Sequence, residues 1–145
     1  MVIKMEDYTG KWQENRYLSD SMEPILDLQE IPWLIKQAIN AFAPVYTITQ
    51  NDQRVIVSLT LGVTKNEIYE FDDIERISQP PFGPPLSVKC WVNEGHLVVE
   101  QKSEVHGFQF RAKWSVSDGK QLRHIILTMK DGTQTEINLV LDRIE

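Results

Sequence analysis

One cysteine, Cys90, stands alone in 145 residues, so no internal disulfide framework holds this chain together. No apolar run approaches the roughly 18 residues that cross a bilayer, which argues against stable membrane insertion. No apolar segment follows Met1 in the manner of a secretory signal. These absences together set the expectation of a cytoplasmic protein, small enough to enter the nucleus as well. Basic charge is also scarce: 15 Lys and Arg stand against 21 Asp and Glu, a net of -6. Nonspecific nucleic-acid binding needs a basic footprint and is excluded on that ground. There is no Gly-rich phosphate loop, and His96, His106 and His124 have no metal-ligand spacing such as His-x-x-x-His. Surface or loop positions are expected for them, with no metal and no cofactor. Cys90 has no activating base nearby in sequence and is expected to be a small buried side chain. Asp72, Asp73 and Glu75 read as a solvated acidic turn. Nothing here assembles catalysis, so a non-enzyme is expected. Without a repeat, a low-complexity tract or a dividing linker, residues 1–145 read as one domain and a monomer.

What the sequence does contain is strand signal. Tyr8 to Tyr17 reads as an opening strand. Val45 to Gln50 is followed by Asn51-Asp52, and Arg54 to Leu61 alternates cleanly, with Val55, Val57, Leu59 and Leu61 on one face. Asn66 to Asp72 and Ile74 to Ser78 follow. Pro80-Pro81-Phe82-Gly83-Pro84-Pro85 is a stiff loop, because proline donates no ladder hydrogen bond. Leu86 to Val92, His96 to Lys102, Phe108 to Val116, Leu122 to Met129 and Thr135 to Asp142 complete ten strands, with Asp-Gly turns at 118 and 131.

One stretch breaks the series. Asp20 is a reasonable N-cap for a helix reaching about Leu28, with Met22, Ile25 and Leu26 on one face. A second helix starts near Pro32, a favoured first position, and Pro44 stops it. Each is too short to be stable alone, so both must rest on the sheet. No segment offers a crossover for parallel pairing. The fold expected is all-β: a ten-stranded antiparallel up-and-down β-barrel, whose closure removes exposed edges, with a helix-turn-helix cap over about residues 20–43.

Several segments carry a resemblance. Gly10-Lys11-Trp12, Thr64-Lys65-Asn66-Glu67-Ile68, Val88 to Trp91, Asn93-Glu94-Gly95, Leu97-Val98-Val99-Glu100-Gln101-Lys102, and Asp118-Gly119-Lys120 with Ile126-Leu127-Thr128-Met129 fall in the same order across nearly the whole chain. This ordered set resembles the intracellular lipid-binding proteins, the fatty acid-binding and cellular retinoid-binding families. The resemblance implies a calycin-like barrel that holds a small hydrophobic ligand in its interior and admits it near the helices. It also implies a ligand carboxylate held by an Arg on the eighth strand and an Arg-x-Tyr on the last.

Those anchors do not carry over. Trp114 falls where the first Arg is expected, and Leu139 and Leu141 fall at the Arg-x-Tyr positions. Alternation puts Phe108, Phe110, Ala112, Trp114 and Val116 on one face, while a one-residue shift would turn Arg111 and Lys113 inward instead. Burying two unpaired cations is costly, which favours the apolar register. The ligand-binding candidates are Trp114, Phe110, Leu139, Leu141, Val99 and the polar Gln101, with Arg111 and Lys113 from the other register. Trp33 and Phe82 are portal candidates. An anchor-free cavity suits a neutral or mostly apolar ligand. The cap carries Asp20, Glu23, Asp27 and Glu30 against Lys36, so anionic membranes should repel it and release should go to solution or to a protein. The alternative is a packed barrel that has lost ligand binding and serves as a protein-interaction scaffold.

Overall fold

Period-two alternation shapes the molecule. The computed structural model describes residues 5–61, 63–79 and 84–144. Its strands are β1 (Gly10–Glu14), β2 (Val45–Gln50), β3 (Arg54–Leu61), β4 (Val63–Glu70), β5 (Arg76–Ser78), β6 (Leu86–Asn93), β7 (His96–Ser103), β8 (Phe108–Ser117), β9 (Lys120–Thr128) and β10 (Gln134–Arg143). Across the sheet they run β4-β3-β2-β1-β10-β9-β8-β7-β6-β5, every neighbour antiparallel. The first and last strands meet, with Trp12 opposite Arg143 and Glu14 opposite Leu141. This pairing curls the meander into the expected up-and-down barrel. The two ends of the order, β4 and β5, form its seam, and β5 is only three residues long. On the β5 side so short an edge leaves few backbone groups open to pairing with another chain, whereas β4 presents eight residues.

Two hairpins show why local sequence allows such tight returns. Glu94 and Gly95 have φ of 53° and 85°, and Asp118 and Gly119 have 53° and 74°. Two successive residues of positive φ match the right-handed twist of the flanking strands.

Helices α1 (Glu23–Leu28) and α2 (Trp33–Ala41) lie between β1 and β2. Helix α1 begins later than sequence suggests, after Met22 and without a side-chain cap. Asp20, the expected N-cap, instead accepts a hydrogen bond from the Asn138 backbone N–H at 2.8 Å. Ser19 Oγ accepts from Val140 N–H at 2.8 Å, so the cap's entry is tied to β10. Ile25 is buried beneath the cap. Lys36 of α2 bridges Glu23, at 3.0 Å, and Asp27 of α1. Much of the cap's acidic charge is thereby engaged in holding the helices together.

The other mouth is filled by the segment before β1. The Tyr8 hydroxyl donates to the Trp114 carbonyl at 2.9 Å and accepts from Leu97 N–H at 3.0 Å. Trp12 Nε1 donates to the Tyr8 carbonyl at 2.9 Å. Glu6 accepts from Val116 N–H at 2.6 Å and pairs with His96. Leu97 and His96 lie beside the β6–β7 turn. Glu30 of the cap instead reaches His106, in the β7–β8 turn, at 3.5 Å. Successive turns of an up-and-down barrel lie at opposite ends, so Tyr8 and the helices close opposite mouths.

Candidate ligand-binding cavity

Between the cap and the packed base lies a cavity of about 240 Å³. Met22, Ile25 and Leu26 roof it, and Val99, Phe110, Trp114, Ile125 and Leu139 wall it. The walls follow from alternation on β8, where Phe108, Phe110, Ala112 and Trp114 are all buried and the residues between them point out.

The structure brings together most of the residues singled out from sequence. Trp114, Phe110, Leu139, Val99 and Gln101 all line the cavity. Leu141 is fully buried but belongs to the packed core beyond it. Arg111 and Lys113 require correction as binding candidates: both are exposed on the outer wall. Arg111 meets Glu100, donating to its carboxylate from Nη2 at 2.5 Å and Nε at 3.2 Å, and lies 5.4 Å from the Trp91 ring centroid. Burial alone would raise the Glu100 carboxyl pKa, but the hydrogen bonds and charge of Arg111, with Lys102 and Lys89, outweigh it and hold it below its ordinary value. Trp33 opens α2 with 69 % of its surface exposed, outside the cavity lining. Phe82 lies outside the described residues.

A cavity without a cation was expected, and the structure overturns that. Arg123 of β9 lines it, with its guanidinium carbon 3.8 Å from the Trp114 ring centroid and 5.2 Å from that of Tyr46. Its Nε donates to Gln121 Oε1 at 2.7 Å. Nη2 is buried, and among the described residues it has no hydrogen-bond partner. Burial lowers the guanidinium pKa, against the raising influence of Tyr46, Tyr69 and Glu67. Ring faces stabilise a desolvated guanidinium by roughly 2 kcal/mol, which helps to tolerate it there.

Further polar groups share the cavity. Glu67 of β4 accepts from the Tyr69 hydroxyl, and Tyr69 packs edge-on to Trp114 at 5.9 Å. Gln29, at the end of α1, is buried with its Oε1 unpartnered among the described residues. Burial pushes the Tyr69 phenol well up, with Glu67 adding to the effect.

The histidines sit in three separate places, paired with Glu6, Glu30 and Glu136. Among the described residues no group of three or more side chains is placed to hold a metal ion. Cys90 is free and buried, and burial pushes its thiol up to about 12. A thiolate is the reactive form. Ellman's reagent at neutral pH should therefore leave the native protein unlabelled and label one thiol once urea unfolds it; rapid labelling of native protein would contradict this burial.

No protein-family model matches the sequence, and no curated protein matches it. Solved structures do. Lipid binding protein 8 of Caenorhabditis elegans superposes with a TM-score of 0.77 at 12% identity, covering 99% of each chain. Fatty-acid-binding protein 1 of Echinococcus granulosus gives 0.76 at 10% identity, covering 95% of this chain and 98% of its own. The fold is that of the fatty acid-binding proteins. A further match is the abundant heat soluble SAHS protein of Ramazzottius varieornatus, with a TM-score of 0.73 at 9% identity, covering 97% of this chain and 98% of its own. At such identities the likeness carries the fold, and the choice of ligand rests on the residues inside. Among the described residues no helix is long and apolar enough to cross a membrane.

Proposed function

We propose that this chain is a divergent intracellular lipid-binding protein, a monomeric and non-enzymatic carrier of a small hydrophobic ligand of fatty acid, retinoid or sterol type, working in the cytoplasm and nucleus. The single observation that carries this reading is the cavity shared by cap and barrel, walled mainly by apolar side chains. A ligand that buries about 400 Å² of apolar surface there gains roughly 10 kcal/mol before the costs of association. The mechanism is reversible sequestration. At about 240 Å³ the cavity is below the common range for ligand sites, roughly 300–1,000 Å³. A lipid larger than this needs the walls or the cap to give way. Helices of six and nine residues, tied to the barrel by Ile25, by the Asp20 and Ser19 bonds before α1, by Arg16 to the Ile39 carbonyl and by Glu30 to His106, are the smallest unit that could give. The acidic cap favours release into solution or to a protein partner over an anionic membrane.

A second reading, a protein-interaction scaffold, is favoured by one observation: Trp33, Leu34 and Phe42 are about 70 % exposed on the cap. Native mass spectrometry of protein purified without delipidation separates the two. The carrier reading expects a retained lipid adduct that organic extraction removes. Protein that carries no adduct and takes up none from a mixed lipid pool supports the scaffold and ends the carrier reading.

A further inference from the structure

We infer that the cavity selects a lipid whose polar head is uncharged and both donates and accepts hydrogen bonds, as a hydroxyl or primary amide does, over a free carboxylate. This rests on the carrier reading and specifies its ligand.

The argument starts from charge. Among the described residues lining the cavity, Glu67 and Arg123 are the charged ones, and their formal charges cancel. Arg123 lies against the faces of Trp114 and Tyr46 and within the field of Glu67. Its cation is therefore already partly balanced, although hydrogen-bond donors remain free at its buried tip. Glu67 accepts a hydrogen bond from the Tyr69 hydroxyl on one oxygen and offers acceptor capacity besides. Gln29 adds an unpartnered acceptor beneath the cap.

A head that satisfies these groups must accept from Arg123 and donate to Glu67 or Gln29. A hydroxyl or amide does both at once. A carboxylate only accepts, so it offers nothing to the Gln29 oxygen and brings a second negative charge into a weakly screened space with Glu67. Like charges in such surroundings repel by more than they do in water. The acyl chain then lies along Phe110, Ile125 and Leu139.

Oleic acid, oleyl alcohol and oleamide share one hydrocarbon chain and differ in the head, so each is to be titrated against bound Nile red, an uncharged probe, at neutral pH. Oleamide and oleyl alcohol are expected to bind about tenfold more tightly than oleate. Glu67→Gln, which keeps an acceptor and removes the charge, should tighten oleate about tenfold and change oleamide little. Arg123→Met should weaken oleamide and leave Nile red in place. Oleate binding as tightly as oleamide to the unmodified protein, or oleate unmoved by Glu67→Gln, would sink the head-group assignment while the carrier reading stands. Nile red that none of the three displaces overturns the head-group assignment, while the carrier reading is decided separately by the retained-lipid measurement.

Discussion

Replacing Trp114 by alanine is expected to lower the free energy of unfolding by about 3–5 kcal/mol, the usual cost of deleting a buried large aromatic. Trp114 is 3 % exposed and stands where three features meet. Tyr8 from the packed base meets its ring edge-on at 5.5 Å, Tyr69 does so from β4 at 5.9 Å, and the Arg123 guanidinium lies 3.8 Å from its ring centroid. The adjacent cavity makes collapse into the vacated space incomplete, which places the cost toward the upper part of that range. Arg123 also loses its nearest ring. Urea unfolding followed by circular dichroism measures the difference. A loss below about 1 kcal/mol would mean that Trp114 is not part of a packed wall.

Alkali should weaken the fold. Burial raises the Tyr8 phenol to about 12, against the lowering effect of the Leu97 N–H bond, and raises the Cys90 thiol to about 12. Both folded-state values lie above their ordinary values of 10.0 and 9.0. Below those ordinary values both groups are neutral in folded and unfolded chains, and their stabilising contribution is complete. As pH rises, the unfolded chain loses these protons first, so stability falls from about pH 9 through pH 12. A pKa unit is worth about 1.4 kcal/mol and a small domain has about 5–15 kcal/mol of stability in all, so upward shifts at two groups are enough to register. The urea midpoint should drop sharply across that window. Tyr8→Phe and Cys90→Ala together should lessen the drop, with Tyr46 and Tyr69, whose phenols burial also raises, supplying the rest; a drop of unchanged size in the double variant would remove Tyr8 and Cys90 as its cause.

Most of the barrel was readable because its strands alternate and its hairpins carry marked turns. On β8 every apolar residue from Phe108 to Trp114 has one parity, which favoured that face over the one carrying Arg111 and Lys113, and the structure decides for it. On β9 the pattern is ambiguous: Leu122 and Ile126 share one parity, Ile125 and Leu127 the other. Pairing with β8 resolves it, setting Ala112 opposite Ile125 and Trp114 opposite Arg123. That register is nonlocal information, and it is why Arg123 was missed. Its parity with Ile125 and Leu127 was the available signal. Asp20 was misplaced for a related reason. A local capping preference lost to a hydrogen bond with Asn138, 118 residues away in sequence. Boundaries moved where side chains had other tasks, as at β1, which starts at Gly10 because Tyr8 serves the base.

The ring closure between β1 and β10 also bears on how the chain reaches its fold. Every other ladder joins strands that are neighbours in sequence, so each can form early at small entropic expense. Bringing β1 to β10 closes nearly the entire polypeptide into a loop, which only assembled partners can reward. The β1–β10 seam is thus expected to close late, and a chain caught before that step would display the unmet backbone of β10 to its neighbours.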